Sequence, residues 1–237
     1  MEAKYKGFFI FVKVVFRGFL TDTLPPAGPR VRVGSFLRRL PMILRNIVAT
    51  TAVLLPGLAL AVDELSYTYV EVVSTTGEVD RSGTDVDFNR VGGLASYELT
   101  ENFAAFASGT TGEVETTGIG APRDIDTRDL AAGLTAHFPL FDNVDLIVPA
   151  AINYARARAG RIKDSDIGYS IAVGVRALLT KNIEVEGAVR HLDINSKDDQ
   201  SLIGSARFHF TDALSVAVTG QLSDDVNAVG LNGRFAF

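Results

Sequence analysis

The sequence predicts an all-β chain: a closed antiparallel transmembrane β-barrel of about ten strands, with eight as the alternative count, preceded by a signal peptide. Three observations predict it. From Leu65 onward, apolar and polar residues alternate with the period of 2 that belongs to strands. Short threonine-containing turns alternate with longer polar connections. Ahead of this body lies a basic segment with an apolar stretch and a small-residue cleavage pattern.

The basic segment comes first in the chain. Residues 1–61 hold 9 of the 23 basic residues and only 2 of the 28 acidic ones. The body that follows carries a net charge of −12, against −5 for the whole chain. Met42-Ile43-Leu44-Arg45-Asn46 opens a short basic stretch, and Ile47 to Leu55 is apolar apart from threonines. Pro56-Gly57 breaks any helix there, and Ala59-Leu60-Ala61 has the small-x-small form that signal peptidase cleaves. The expected organisation is therefore a misassigned or disordered extension over 1–41, a signal over 42–61 and a mature domain over 62–237. Cleavage is expected after Ala61, with Ala59 and Ala61 as the recognised residues.

Composition narrows what the body does. Its acidity excludes nucleic-acid binding, because Lys and Arg must neutralise the phosphates. The chain has no cysteine, which excludes disulfides, thiolate metal sites and catalytic thiols. No apolar run in the body approaches the roughly 20 residues of a membrane-spanning helix.

Strands follow one another through the body. The expected segments are 65–73, 87–99, 102–109, 127–138, 143–156, 166–180, 182–194, 200–210, 213–222 and 226–237. Over 167–179, Ile167, Tyr169, Ile171, Val173, Val175, Ala177 and Leu179 fall on one face. Gly168, Ser170, Ala172, Gly174, Arg176 and Leu178 fall on the other. Leu99-Thr100-Glu101-Asn102-Phe103, Leu179-Thr180-Lys181-Asn182-Ile183 and Phe210-Thr211-Asp212-Ala213-Leu214 share an apolar-Thr-charged-x-apolar turn. Phe138 to Val144 holds a longer variant. Ser74–Asp85, Gly109–Asp126, Ala157–Ser165, Ser196–Asp199 and Ser223–Asp225 read as polar loops. An even strand count with short turns on one side and longer loops on the other is the pattern of an outer-membrane barrel.

Alternation by itself does not separate a membrane barrel from a soluble one whose apolar face points inward. The charges decide. A charge facing lipid at mid-membrane costs roughly 2–4 kcal/mol, so Glu71, Glu98, Arg176, Glu184, Glu186, Arg190, Arg207 and Arg234 are expected in the lumen. There they form an internal ion-pairing network in preference to a selectivity filter, because a barrel this narrow is filled by side chains. Aromatic residues gather near strand ends: Phe138, Phe141, Phe208, Phe210, Phe235 and Phe237 towards the short turns, Tyr154 and Tyr169 towards the loops. They have the placement of interfacial girdles. Closure requires the first strand to lie beside the last, since lipid offers no partner to an open edge. Ser66–Val73 is thus expected beside Ala228–Phe237, with Glu71 and Arg234 facing the lumen near that seam.

Leu65-Ser66-Tyr67-Thr68-Tyr69-Val70-Glu71, with Gly230, Asn232, Phe235 and the terminal Phe237, resembles a family of small Gram-negative outer-membrane β-barrels. The likeness covers most of residues 62–237. It implies the fold and an outer-membrane location after export. It also implies that Phe235 and Phe237 form the C-terminal signal read by the barrel assembly machinery, although Asn232 and Gly230 stand where a Gly and a polar residue are usual. Outer-membrane lipid, lipopolysaccharide and periplasmic chaperones are the other expected partners.

No catalytic, cofactor or metal residues are expected. His191-Leu192-Asp193 is the sharpest enzymatic candidate, yet His191 shares parity with Ile183, Val185 and Val189 on the lipid side. His137 and His209 have lumen parity but lie near the short turns. The loop aspartates have no EF-hand spacing and read as solvated charge. The expected role is that of a surface barrel, structural or interacting through acidic external loops whose ligand the sequence leaves open. A low-conductance porin is the alternative.

Overall fold

The computed structural model of the chain describes residues 64–81, 84–116, 124–160, 162–194, 197–223 and 226–237. The expected extension, the signal and Ala59 and Ala61 lie outside them. The described residues form ten strands: β1 (Tyr69–Arg81), β2 (Thr84–Thr100), β3 (Phe103–Thr116), β4 (Asp124–Phe141) and β5 (Val144–Ala159), then β6 (Ile162–Thr180), β7 (Ile183–Ile194), β8 (Lys197–His209), β9 (Leu214–Ser223) and β10 (Val226–Ala236). Each pairs antiparallel with its sequence neighbours, and β1 pairs with β10, so the sheet closes. The alternative count of eight is set aside.

The faces fall as the alternation requires. Ile167, Tyr169, Ile171 and Val173 are exposed on the outside of β6, while Ala172, Arg176 and Leu178 are buried inside. The twelve residue steps from Ile167 to Leu179, at about 3.3 Å each and a tilt near 40°, give an apolar band roughly 30 Å tall. Phe103, Phe138, Phe141, Phe208, Phe210, Phe235 and Phe237 are exposed around the short-turn end.

Two expectations are corrected. β1 starts at Tyr69, not Leu65, and the seam pairs Tyr69–Val79 with Val226–Ala236. Residues 65–68 leave the strand because Tyr67 turns inward: its ring stacks on His137 at 3.7 Å. No strand partner remains for them, since β10 ends at Ala236 and only the Phe237 N–H reaches back, to the Thr68 carbonyl. Several strands also run well into segments read as loops: β3 reaches Thr116, β4 starts at Asp124 and the β5–β6 hairpin extends to Ala159 and Ile162. Polarity does not end a strand here. Antiparallel pairing satisfies the backbone beyond the lipid as well as within it, and Thr and Val suit the pleat.

Three of the four short turns share one device. In each of three turns an asparagine clamps the following hairpin. The carbonyls of Asn102, Asn143 and Asn182 accept from the backbone N–H of His137, Leu178 and His209, each at 2.9 Å. The same asparagines donate through Nδ2 to the carbonyls of those same residues, at 3.1, 2.7 and 2.9 Å. Thr100 and Thr180 accept through Oγ1 from the N–H two residues on, an ST-type turn. A register shift precedes each of these turns, at Glu98/Thr100, Pro139/Phe141 and Leu178/Thr180. At Thr100 and Thr180 the Thr-charged-x-apolar form is thus a bulge, a threonine turn and an asparagine clamp, whereas at Thr211, where no asparagine follows, the threonine Oγ1 accepts from the Leu214 N–H. Two residues keep neighbouring strands close inside the barrel. A Cβ on Gly133 would collide with the Ala150 carbonyl oxygen, and one on Gly174 would lie 2.5 Å from the Gly187 oxygen.

Candidate functional site: the lumen floor

Strand parity delivers a set of charged side chains to the interior near the short turns. Arg176 comes from β6, Glu184 from β7, Arg207 and His209 from β8, Arg234 from β10 and Glu71 from β1. All six are buried. Arg176 holds Glu184 with two parallel bonds, Nε to Oε1 and Nη2 to Oε2, each 2.9 Å. This fork-to-fork geometry is the strongest form of the Arg–carboxylate pair. Arg207 Nη2 and Arg234 Nε both donate to Glu71 Oε2, at 2.7 and 2.8 Å. Arg207 Nε and Arg234 Nη1 each lie 3.6 Å from Glu184 Oε1, which joins the two halves. His209 Nε2 sits 3.1 Å from Glu184 Oε2, and Arg207 Nη1 donates to Ser215 Oγ at 3.2 Å.

The register does not choose these partners by itself. Arg176 is directly opposite Glu186, yet its ion pair goes diagonally to Glu184. Arg207 on β8 reaches Glu71 on β1, with β9 and β10 between them. Closure of a narrow barrel brings those walls within side-chain reach.

The segment before β1 seals the other side of the floor. Arg176 donates through Nη1 to the Ser66 carbonyl at 3.0 Å, and its guanidinium lies 4.9 Å from the centre of the Tyr67 ring. The Tyr67 hydroxyl donates to Asp145 Oδ2 at 2.8 Å, while Ser96 Oγ donates to the Tyr67 carbonyl at 2.7 Å. Arg234 covers the Tyr69 ring at 3.8 Å. Burial pushes the Tyr67 hydroxyl well above the usual phenol range; Arg176 opposes this and the bond to Asp145 adds to it. A cavity of about 170 Å³ lies beside Tyr67, with Tyr69, Ser96, Phe106, Arg176 and Glu186 among its lining residues.

Of the eight lumen charges expected, Glu71, Arg176, Glu184, Arg207 and Arg234 meet. The other three have lumen parity but stand outside the ion pairs. Glu98 lies opposite buried Ala104 but is itself exposed at the turn end, where its N–H donates to Thr68 Oγ1. Glu186 lines the cavity. Arg190 lies further along β7, opposite Ala172 and Ser201. The single network of eight is corrected to a core of five plus His209, because tilt and shear offset residues that parity alone places together. Parity put His137 and His209 inward, but nothing local marked Tyr67, Asp145 or Ser215 as their neighbours. A second lumen pair, Arg90 Nη1 to Asp129 Oδ2 at 3.0 Å, was also not foreseen; it is more than a third exposed and contributes little.

His191 lies opposite Ile171, and Asp193 opposite Tyr169, so both lie on the outward face. His191 and Tyr169 rings are 6.1 Å apart. Among the described residues no group of three or more His, Asp or Glu is arranged to hold a metal ion. Phe235 and Phe237 stack outside the seam, ring centres 6.3 Å apart.

No curated protein sequence matches the chain. Among solved structures, Neisserial surface protein A is 14% identical with a TM-score of 0.41, covering 73% of this chain and 98% of that one. The outer membrane protein OprG from Pseudomonas aeruginosa is 12% identical with a TM-score of 0.41, covering 74% and 100%. The beta domain of the Bordetella autotransporter BrkA is 12% identical with a TM-score of 0.45, covering 71% and 98%. A family model for the outer membrane protein beta-barrel domain matches residues 47–235. With that match over most of its length and a closed antiparallel barrel that turns its apolar face outward, this chain belongs to the outer membrane protein beta-barrel domain family.

Proposed function

We propose that the protein is a non-conducting, non-enzymatic surface barrel that acts through its acidic external loops. One observation carries this reading: the buried cluster of Glu71, Arg176, Glu184, Arg207 and Arg234 crosses the floor of the lumen, with Tyr67 beside it. A selectivity filter presents charges to water and to passing ions. Here the charges are spent on one another and shielded from water, which is how small barrels fill their interior. The outward placement of His191 and Asp193 supports a role without catalysis. The long-hairpin ends of β6 and β8, which border those loops, carry Asp164, Asp166 and Asp199. In this reading the signal over 42–61 exports the chain, cleavage after Ala61 leaves a mature 62–237, and Phe235 and Phe237 are read by the assembly machinery.

Planar-bilayer recording tests it. The refolded protein is expected to give no stable unitary conductance. Regular steps would establish the second reading, a low-conductance porin, which the cavity beside Tyr67 and the glycine-rich lumen wall above it favour.

A further inference from the structure

The outer surface carries a charge arrangement that the lumen network does not explain. Leu130, Tyr154 and Ile167 form one outward row across β4, β5 and β6, and two of the three are strongly exposed. This is the last apolar row at the long-hairpin end. The next row outward is Thr111, Arg128, Arg156 and Ser165. Arg128 and Arg156 are directly opposite one another, flanked only by hydroxyl residues. The row beyond it, Glu113, Asp126, Arg158 and Lys163, balances two acids against two bases. Arg158 Nε is occupied by the Gly160 carbonyl at 3.2 Å.

Two like charges directly opposite on neighbouring strands repel. That arrangement stands one residue pair, roughly 7 Å of strand, above the apolar band. It is the depth of the outer-leaflet head groups, and guanidinium forks match phosphate oxygens bidentately. Among the described residues neither arginine has a carboxylate within ion-pair distance, although Asp126 stands one row away.

We propose that Arg128 and Arg156 form a phosphate clamp for a phosphorylated glycolipid of the outer leaflet, a lipopolysaccharide, held against the β4–β5–β6 wall. Its acyl chains lie on Leu130, Ile152 and Ile167, and Tyr154 marks the boundary. The anion cancels the repulsion between the arginines, and Ser165 supplies a hydroxyl beside Arg156. The proposal rests on the membrane placement and orientation given above, with the long hairpins outside.

The test produces the full chain in a Gram-negative host, extracts it from the outer membrane in neutral detergent and quantifies lipopolysaccharide retained per barrel. Each basic residue near an anionic lipid surface contributes roughly fivefold in affinity, so Arg128→Gln with Arg156→Gln is expected to weaken retention by about 30-fold. Lys181→Gln, in a short turn at the other end, is expected to change it less than twofold. Equal retention by the double variant and the parent protein overturns the clamp. So does displacement of the lipopolysaccharide by phosphatidylglycerol micelles at equal phosphate concentration. Orientation is read separately with Ile162→Cys in this cysteine-free chain. Labelling of intact cells by an impermeant maleimide is expected. Absence of labelling overturns the orientation, and the clamp with it, whereas labelling with unchanged retention overturns the clamp alone.

Discussion

Glu71 and Arg234 face one another directly across the barrel's closure, Cα partners on β1 and β10, with Arg234 Nε donating to Glu71 Oε2 at 2.8 Å. The same carboxylate oxygen accepts from Arg207. The seam is therefore closed twice, by the backbone ladder and by a buried carboxylate shared between two guanidinium groups. Removing the shared partner leaves both arginines with only the longer, 3.6 Å approach to Glu184 Oε1 as an ion pair. Glu71→Gln is expected to cost about 3–5 kcal/mol, the usual penalty for breaking a buried pair from one side. Arg234→Gln leaves Glu71 bonded to Arg207 and is expected to cost about 1–3 kcal/mol. The chain has no tryptophan, so urea unfolding in vesicles is followed by the gel-mobility shift of the folded barrel. Equal losses for the two variants would show that Glu71 is not shared.

The glycine-rich wall makes a contrast of two substitutions. Gly133→Ala places a Cβ against the Ala150 carbonyl, which belongs to the backbone and cannot rotate away. Gly187→Ala meets nothing within 4 Å. The first is expected to reduce the folded fraction after refolding by more than half. The second is expected to leave it unchanged. Band intensities of folded and unfolded species on an unheated gel give the answer directly.

Tyr67 links the floor to pH. Its hydroxyl holds its proton more tightly folded than unfolded, because burial disfavours the phenolate. A raised folded value gives stability that is complete below the unfolded value near 10 and is lost as pH rises through the folded value. The barrel is therefore expected to lose stability progressively above about pH 10, and Tyr67→Phe is expected to flatten that loss. Urea midpoints measured between pH 8 and 12 compare the two. A tyrosine absorbance titration should also show one phenol fewer ionising at pH 12 in the folded protein than in the unfolded one.

The terminal aromatics separate folding from delivery. Phe235 and Phe237 touch each other and the outside of the barrel, with no part in the lumen cluster. Phe237→Ser is expected to cut the amount recovered in the outer membrane severalfold while leaving refolding in vesicles within a factor of two. N-terminal sequencing of the recovered protein is expected to begin at Val62. A proportional loss in vesicles would make Phe237 a stability residue instead.

The sequence alone determined what depends on neighbours along the chain. Alternation of period 2 settled which residues of β6 face outward and that Arg176, Glu184, Arg207 and Arg234 turn inward, because successive side chains of a strand must alternate. The Thr-charged-x-apolar turns counted the strands, since each short turn needs its own local chemistry at Thr100 or Thr180. The cost of an open edge in lipid is enough to pair the first strand with the last. Tertiary structure decided what depends on tilt, shear and curvature, which no local pattern encodes. It sent Arg176 diagonally to Glu184 instead of across to Glu186. It carried Arg207 over two strands to Glu71, and left Arg190 and Glu98 outside the cluster. It also drew Tyr67 out of the first strand, because a ring that stacks on His137 and reaches Asp145 gains more than an edge residue with no strand to pair.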